Sequence, residues 1–287
     1  MLSLLYWNHG ERNLGDLLNE NICQELFSLK IAPPPAITYK NLLNFEASFI
    51  GSTLGLLIMP KQLESNMQWQ MRVRAAAPIK IWGSGFLMNP LWEENQLTRK
   101  IEVYALRGKK TKERLENITK VNFKNIPLAD PGILASKLIK KQQKKYDFGI
   151  IPHHSEVHLP IFKQLTQVLN NAIFIDVHGD VLESLQKIAQ CKIILSSALH
   201  GLIIADSFGI PNARILATNT MRVEQNYKFI DYYSAYDLEG HLQFDLNQVN
   251  FNTLDSTYLQ KEIQKNYPIS RTMIKEKQKQ LLECFPY

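Results

Sequence analysis

Leu195-Ser196-Ser197-Ala198-Leu199-His200-Gly201-Leu202-Ile203-Ile204-Ala205-Asp206-Ser207-Phe208-Gly209-Ile210-Pro211 is the stretch that decides the fold. An apolar run over residues 191–195 stops at two serines. A His-Gly pair follows, then an apolar helical pattern, then Gly-Ile-Pro and a second apolar run. That order reads as strand, tight turn, helix, turn, strand, which is one unit of a parallel α/β sheet. The polar residues fall where strand meets helix, at the carboxyl edge at which open α/β sheets bind ligands. The unpaired N–H groups of the helix start attract anions there. A histidine beside them suggests proton transfer to or from a phosphorylated or carboxylated ligand.

The same grammar extends in both directions. Upstream, residues 148–151 read as a strand ending at Pro152-His153-His154. Residues 160–169 read as a helix, and residues 172–177 as a strand ending at His178-Gly179-Asp180, where Asp180 caps the next helix. In the first half, residues 2–7 read as a buried strand, followed by a polar loop and a helix capped by Asp16. Residues 47–50, 79–82 and 101–106 read as further strands, the second ending at Gly83-Ser84-Gly85 and the third running into Arg107-Gly108 and a basic helix. Residues 129–132 mark a turn, and Lys228 with Asp231-Tyr232-Tyr233 falls in a loop; the tail from Leu254 is helical. These alternations predict an α/β protein of two Rossmann-like domains facing each other across a cleft. The basic segment 137–145 is taken as the boundary, giving domains over 1–136 and 137–253 and a helical tail over 254–287 that packs back on the first domain.

The chain of 287 residues is 45% apolar, enough for substantial cores. A formal charge of +6 favours anionic partners without choosing among them. The three cysteines, Cys23, Cys191 and Cys284, lie far apart with no Cys-x-x-Cys, which argues against disulfides and a cysteine zinc site and favours a cytoplasmic location. No signal peptide is expected, and the longest apolar stretch, residues 50–59, is too short to span a bilayer.

The candidate chemistry sits at strand ends. Asn13, Gly15 and Asp16 follow the first strand, and Gly83, Ser84 and Gly85 follow another; both let backbone approach a ligand, but neither completes a dinucleotide fingerprint or a Walker loop. Arg107, after a strand and before a helix, can grip a phosphate or carboxylate with two hydrogen bonds. His153, His154, His178 and His200 fall on one edge of one sheet. Their spacing lacks the pattern of a closed metal site, so no metal is assigned, and acid/base work is the better reading. Ser196 and Ser197 can bind phosphate oxygens or cap the His200 helix. No Gly-x-Ser-x-Gly supports a serine hydrolase, and no aromatic-basic motif supports nucleic-acid binding.

Four of these segments together resemble the polysaccharide pyruvyltransferase family: Asn13-Leu14-Gly15-Asp16, Ile81-Trp82-Gly83-Ser84-Gly85, Ala105-Leu106-Arg107-Gly108, and the Ser196 to Pro211 stretch with its Leu-His-Gly and Gly-x-Pro. Residues 150–153 and 228–233 look like elements of the branch acting on bacterial exopolysaccharides. The resemblance implies a GT-B-like fold, phosphoenolpyruvate as donor with no further cofactor, and a saccharide acceptor, commonly lipid-linked, at the inner membrane face. It makes His200 and Arg107 the catalytic pair. Asn13, Gly15, Asp16, Gly83, Ser84, Gly85, His153, Ser196, Ser197, Leu199, Gly201 and Lys228 become the substrate-binding set. The chain departs from the family at Ala198, where many members carry arginine, so the donor's cation must come from elsewhere; Arg12, Lys228 and Arg222 are the candidates. A nucleotide-sugar glycosyltransferase on the same fold is the alternative.

Overall fold

The computed structural model describes residues 1–7, 13–38, 41–60, 76–91 and 95–287. Helix α1 (Leu14–Phe27) opens the first half. Strands β1 (Ala47–Ser48), β2 (Ile58–Pro60), β3 (Ile79–Trp82), β4 (Asn95–Leu97) and β5 (Ile101–Ala105) follow, and then helix α2 (Lys109–Thr119). β1, β3 and β5 form a parallel sheet in that order, and β2 pairs antiparallel with β4. The second half supplies β6 (Tyr146–Ile151), α3 (Pro160–Val168), β7 (Ala172–Phe174), α4 (Val181–Ala189), β8 (Cys191–Ser196), α5 (Leu199–Ser207) and β9 (Asn212–Leu216). It ends with α6 (Asn226–Ser234) and β10 (Gln243–Asp245), and the tail forms α7 (Ser256–Asn266) and α8 (Arg271–Glu283). The second sheet is parallel throughout, in the order β10-β9-β8-β6-β7.

The period of two along each strand builds two cores. Phe148 and Ile150 of β6, with Ile193 and Leu195 of β8, point to one face and pack on Phe162 and Leu165 of α3 and Leu259 and Ile263 of α7. Ile151 and Ile194 point to the other face. They join a cluster with Leu199, Leu202 and Ile203 of α5 that continues through Ile133 and Leu18 to Leu4, Phe49 and Trp82 of the first half. α5 is therefore apolar around most of its circumference, and its residues 201–207 are all buried.

Three local expectations are corrected. Residues 2–7 are buried for the most part but make only isolated bridges, Leu2 with Ile31 and Leu4 with Ala47, rather than a strand. α1 is capped by Asn13, whose side chain accepts from Gly15 N at 3.1 Å; Asp16 lies inside the first turn and is buried. Lys228, Asp231, Tyr232 and Tyr233 belong to α6, not to a loop. Its charged residues hide the helix, because Lys228 and Asp231 are buried beside the stripe of Phe229, Tyr232 and Tyr233 that packs into the core. The 129–132 turn opens a short 3-10 helix, Pro131–Lys137, which Asp130 caps through Gly132 N.

The tail reaches back to the first half. Trp82 Nε1 donates to Leu281 O at 3.1 Å, Gln278 Nε2 donates to Ile133 O at 2.8 Å, and Phe285 stacks on Phe27 at 3.5 Å between ring centroids. Trp82 also meets Phe27 and Phe49 edge-on, and it is fully buried. Trp82→Ala is expected to destabilise the protein by about 3–5 kcal/mol, read from the urea unfolding midpoint.

Candidate active site

The turn after β8 is built by its two serines. Ser196 Oγ donates to Ile151 O at 2.8 Å and accepts from Ala198 N at 3.0 Å, while Ser197 Oγ accepts from His153 N at 2.8 Å. Both serines are fully buried, Gly201 sits against Ser196, and Ala198 caps α5 without a side-chain hydrogen bond. The hydroxyls thus lock the β6 and β8 strand ends together and present the start of α5, instead of facing a ligand themselves.

That start opens into a cavity of about 280 Å³. From the second half, His153, His154, Ala198, Leu199, His200, Gln225 and Lys228 line it; from the first, Trp7, Asn13, Asp16, Gly51 and Ser52 do. Asn13, Asp16, His153, Leu199, His200 and Lys228, all expected from the sequence, therefore converge on one space. His178 does not line it and pairs instead with Asp176 at 3.1 Å. Arg222 pairs with Asp245 at 2.7 Å and is likewise no part of the wall. Arg12 lies outside the described residues.

Gly15 makes this arrangement fit. A Cβ built on it would stand 1.9 Å from His200 Nδ1, so only a glycine lets α1 and α5 approach this closely. Asn19 bonds both Ile50 N and Ile50 O, fixing the loop that carries Gly51 and Ser52 beside Asp16.

Arg107 stands behind the wall rather than in it. It is fully buried; Nε donates to Asp231 Oδ2 at 2.8 Å, Nη1 to Ser52 Oγ at 2.7 Å, and Nη2 to Phe86 O. Asp231 also accepts from Thr111 N and Thr111 Oγ1, each at 2.7 Å. Gly85 is the floor of this pocket, since a Cβ there would lie 2.4 Å from the Arg107 guanidinium carbon. Gly83, at φ +88°, and Ser84, bonded to Thr53 and to Gly51 O, shape the turn from below. Arg107 thus touches the cavity only through Ser52.

Burial tunes the titratable lining. Lys228 is 6% exposed, and burial, with the charges of Arg107 and Arg214, brings its amine down to about 7. Burial pushes Asp16 up to about 6, against the pull of His200 and Lys228. Burial, then Lys228 and the neighbouring histidines, hold His153 far below the usual imidazole range, so it is neutral. His200 is 18% exposed at its side chain, and its Nε2 lies 3.8 Å from Oδ2 of the fully buried Asp130. Sequence reasoning missed Asp130, which reads as part of an ordinary Asp-Pro-Gly turn, and also Trp7, Gly51, Ser52 and Gln225 of the cavity wall, which carry no motif. A carboxyl raised toward neutrality, a titrating amine, a histidine and a helix start suit acid/base chemistry on a small anion.

The chain belongs to the polysaccharide pyruvyl transferase family, which it matches over residues 13–218. It is 31% identical over 188 residues to uncharacterized protein L143 of Acanthamoeba polyphaga mimivirus, covering 63% of each chain. It is 26% identical over 86 residues to succinoglycan biosynthesis protein ExoV of Rhizobium meliloti (strain 1021), covering 29% of this chain and 27% of that one. The chain thus spans less than two thirds of the length of either relative.

Two outcomes follow. Gly15→Ala should lower the melting temperature, because the new methyl forces α1 and the His200 side chain apart, and should lower any turnover the site supports, measured by thermal unfolding beside an activity assay. Arg107→Ala should cost about 3–5 kcal/mol in chemical denaturation, because it strands the buried Asp231 carboxylate.

Proposed function

We propose that the protein is a ketal pyruvyltransferase that moves the pyruvyl group of phosphoenolpyruvate onto two hydroxyls of a saccharide, a surface polysaccharide or its lipid-linked precursor. One observation carries the reading: a single cavity gathers His200, Asp16 and Lys228 at the start of α5, in a chain of the pyruvyl transferase family. We place the two sheets in GT-B-like domains over 1–136 and 137–253, with the 254–287 tail clasping the first.

Phosphoenolpyruvate is a compact polyanion, and Lys228 with the free N–H groups of α5 supplies its counter-charge, Arg107 adding to the field from behind Ser52. A proton passes to the methylene carbon, leaving an oxocarbenium-like centre at C2. A sugar hydroxyl attacks that centre and loses its proton. A second hydroxyl then displaces phosphate, whose oxygen keeps the departing electron pair and takes up the second proton. His200 is the proton donor, and Asp16, raised toward neutrality yet still ionised at pH 7, is the acceptor-side base. Each such proton transfer contributes about 10²–10⁴-fold. Lys137, Lys140, Lys141 and Lys145 are exposed, whereas Lys144 donates to the carbonyls of Ala189 and Cys191; this leaves four cations to meet an anionic membrane surface. Among the described residues, no helix is long and apolar enough to cross a membrane.

The reading is tested by phosphate release from phosphoenolpyruvate with a panel of saccharide acceptors. Release that is lost in a folded His200→Ala variant supports it; no release with any acceptor, together with thermal stabilisation by nucleotide sugars alone, overturns it in favour of a glycosyltransferase. Lys228 also sets a pH dependence. Its amine is charged below about 7 and neutral above, so donor affinity should fall as pH rises from 7 to 9, by up to about tenfold per pH unit. Lys228→Met should bind weakly with no such slope, as titration calorimetry will show.

A further inference from the structure

Asp130 begins the 3-10 helix Pro131–Lys137, which packs through Ile133 and Leu134 into the same core as Leu18 of α1 and Ile203 of α5. Its position relative to His200 is therefore fixed by three packed elements. One carboxyl oxygen, Oδ1, accepts from Gly132 N at 2.9 Å. The other, Oδ2, is sealed from solvent and has no hydrogen bond. His200 Nε2, 3.8 Å away, is also sealed and without a partner. Two buried polar atoms that each lack a partner, and that face one another, are costly unless a proton lies between them. A carboxylate oxygen can only accept, so the proton belongs to the ring. The other ring nitrogen, Nδ1, lies against Gly15 of α1, and His200 lines the cavity together with Asn13 and Asp16 on either side of Gly15 in the sequence. Catalytic contacts that are long without ligand commonly tighten when one binds.

We propose that Asp130 is a positioning residue that keeps a proton on His200 Nε2 and confines proton exchange with the ligand to Nδ1. This deepens the pyruvyltransferase reading, since it concerns the same histidine, but the tautomer it assigns exists with or without a donor. Whichever way the proton moves at Nδ1, as acid or as base, the Nε2–H stays directed at the buried carboxyl. The ring then cannot rotate or change tautomer between steps.

The test labels the full chain with ¹⁵N-histidine and records long-range proton–nitrogen correlations, His200 being assigned by its disappearance in His200→Gln. In the wild type the neutral ring should carry its proton on Nε2. Asp130→Asn keeps an oxygen for Gly132 N but turns an amide donor toward the ring, and should move the proton to Nδ1. Where turnover is measurable, kcat of this variant should fall roughly 10²–10⁴-fold with little change in donor KM. Asp130→Glu, which restores a carboxylate, should recover the Nε2–H tautomer and serves alone if Asp130→Asn does not fold. A wild-type proton on Nδ1, or the same tautomer in wild type and Asp130→Asn, overturns the assignment. Because the tautomer is read without substrate, an expected spectrum in a protein inactive toward phosphoenolpyruvate would reject the proposed reaction and leave the Asp130 role standing.

Discussion

A buried guanidinium and a buried carboxylate, Arg107 and Asp231, hold the two halves of this protein in register. Arg107 follows the last strand of the first sheet, and Asp231 sits in the middle of α6 in the second half. Neither is solvated, so each must find its hydrogen bonds inside. Asp231 finds them in Arg107 and in both donors of Thr111, and Arg107 in Asp231, Ser52 and the Phe86 carbonyl. This saturation is what makes burying the pair tolerable, because an unsatisfied charge at that depth would cost several kcal/mol. It also aims the rest. Ser52, held by Arg107, is part of the cavity wall, and α6, held at Asp231, brings Lys228 to the same wall one turn earlier.

The electrostatics of the cavity follow from that frame. Arg107 and Arg214 both raise the cost of charging Lys228, which is already desolvated, while Asp16 and Glu156 lower it. A lysine caught between these opposed influences holds its charge far less firmly than a solvated one. Asp16 shows the mirror case, a carboxyl raised by burial and drawn back by the cations around it. Each of the two groups is thus displaced by burial and partly restored by the other.

Much of this was legible in the residues. The alternation of apolar runs with Gly- and Ser-bearing turns gives both sheets and the helices between them, because a parallel sheet buried on two faces leaves continuous apolar strands. His200 is visible as a polar residue at a strand-to-helix junction, Asn13 as a polar residue just before a helix, and Lys228 as a cation in a segment that resembles the family. What was not legible depends on burial of polar groups. Nothing in the spelling of Ala-Asp-Pro-Gly distinguishes a cap that faces a histidine from any other turn. Arg107 looks the same from sequence whether it meets a ligand or an aspartate that lies 124 residues away. α6 escapes notice because Lys228 and Asp231 are buried beside its aromatic stripe of Phe229, Tyr232 and Tyr233, and Asp16 passes as a cap because Asn13, three residues earlier, competes for the same role.

The family match ends at residue 218, before α6 begins. Yet the amine at the cavity, the aspartate that secures Arg107, and Tyr232 and Tyr267, which donate to the buried Asp206 of α5, all come after that point. The smallest autonomous piece of this protein is therefore larger than its recognisable signature. A fragment trimmed to the shared stretch would keep His200 but lose Lys228, strip Arg107 of Asp231, and leave Asp206 with Asn212 but without its two tyrosine hydroxyls. Domain boundaries for expression or chimera design belong beyond α8, where the last aromatic residues close over Trp82.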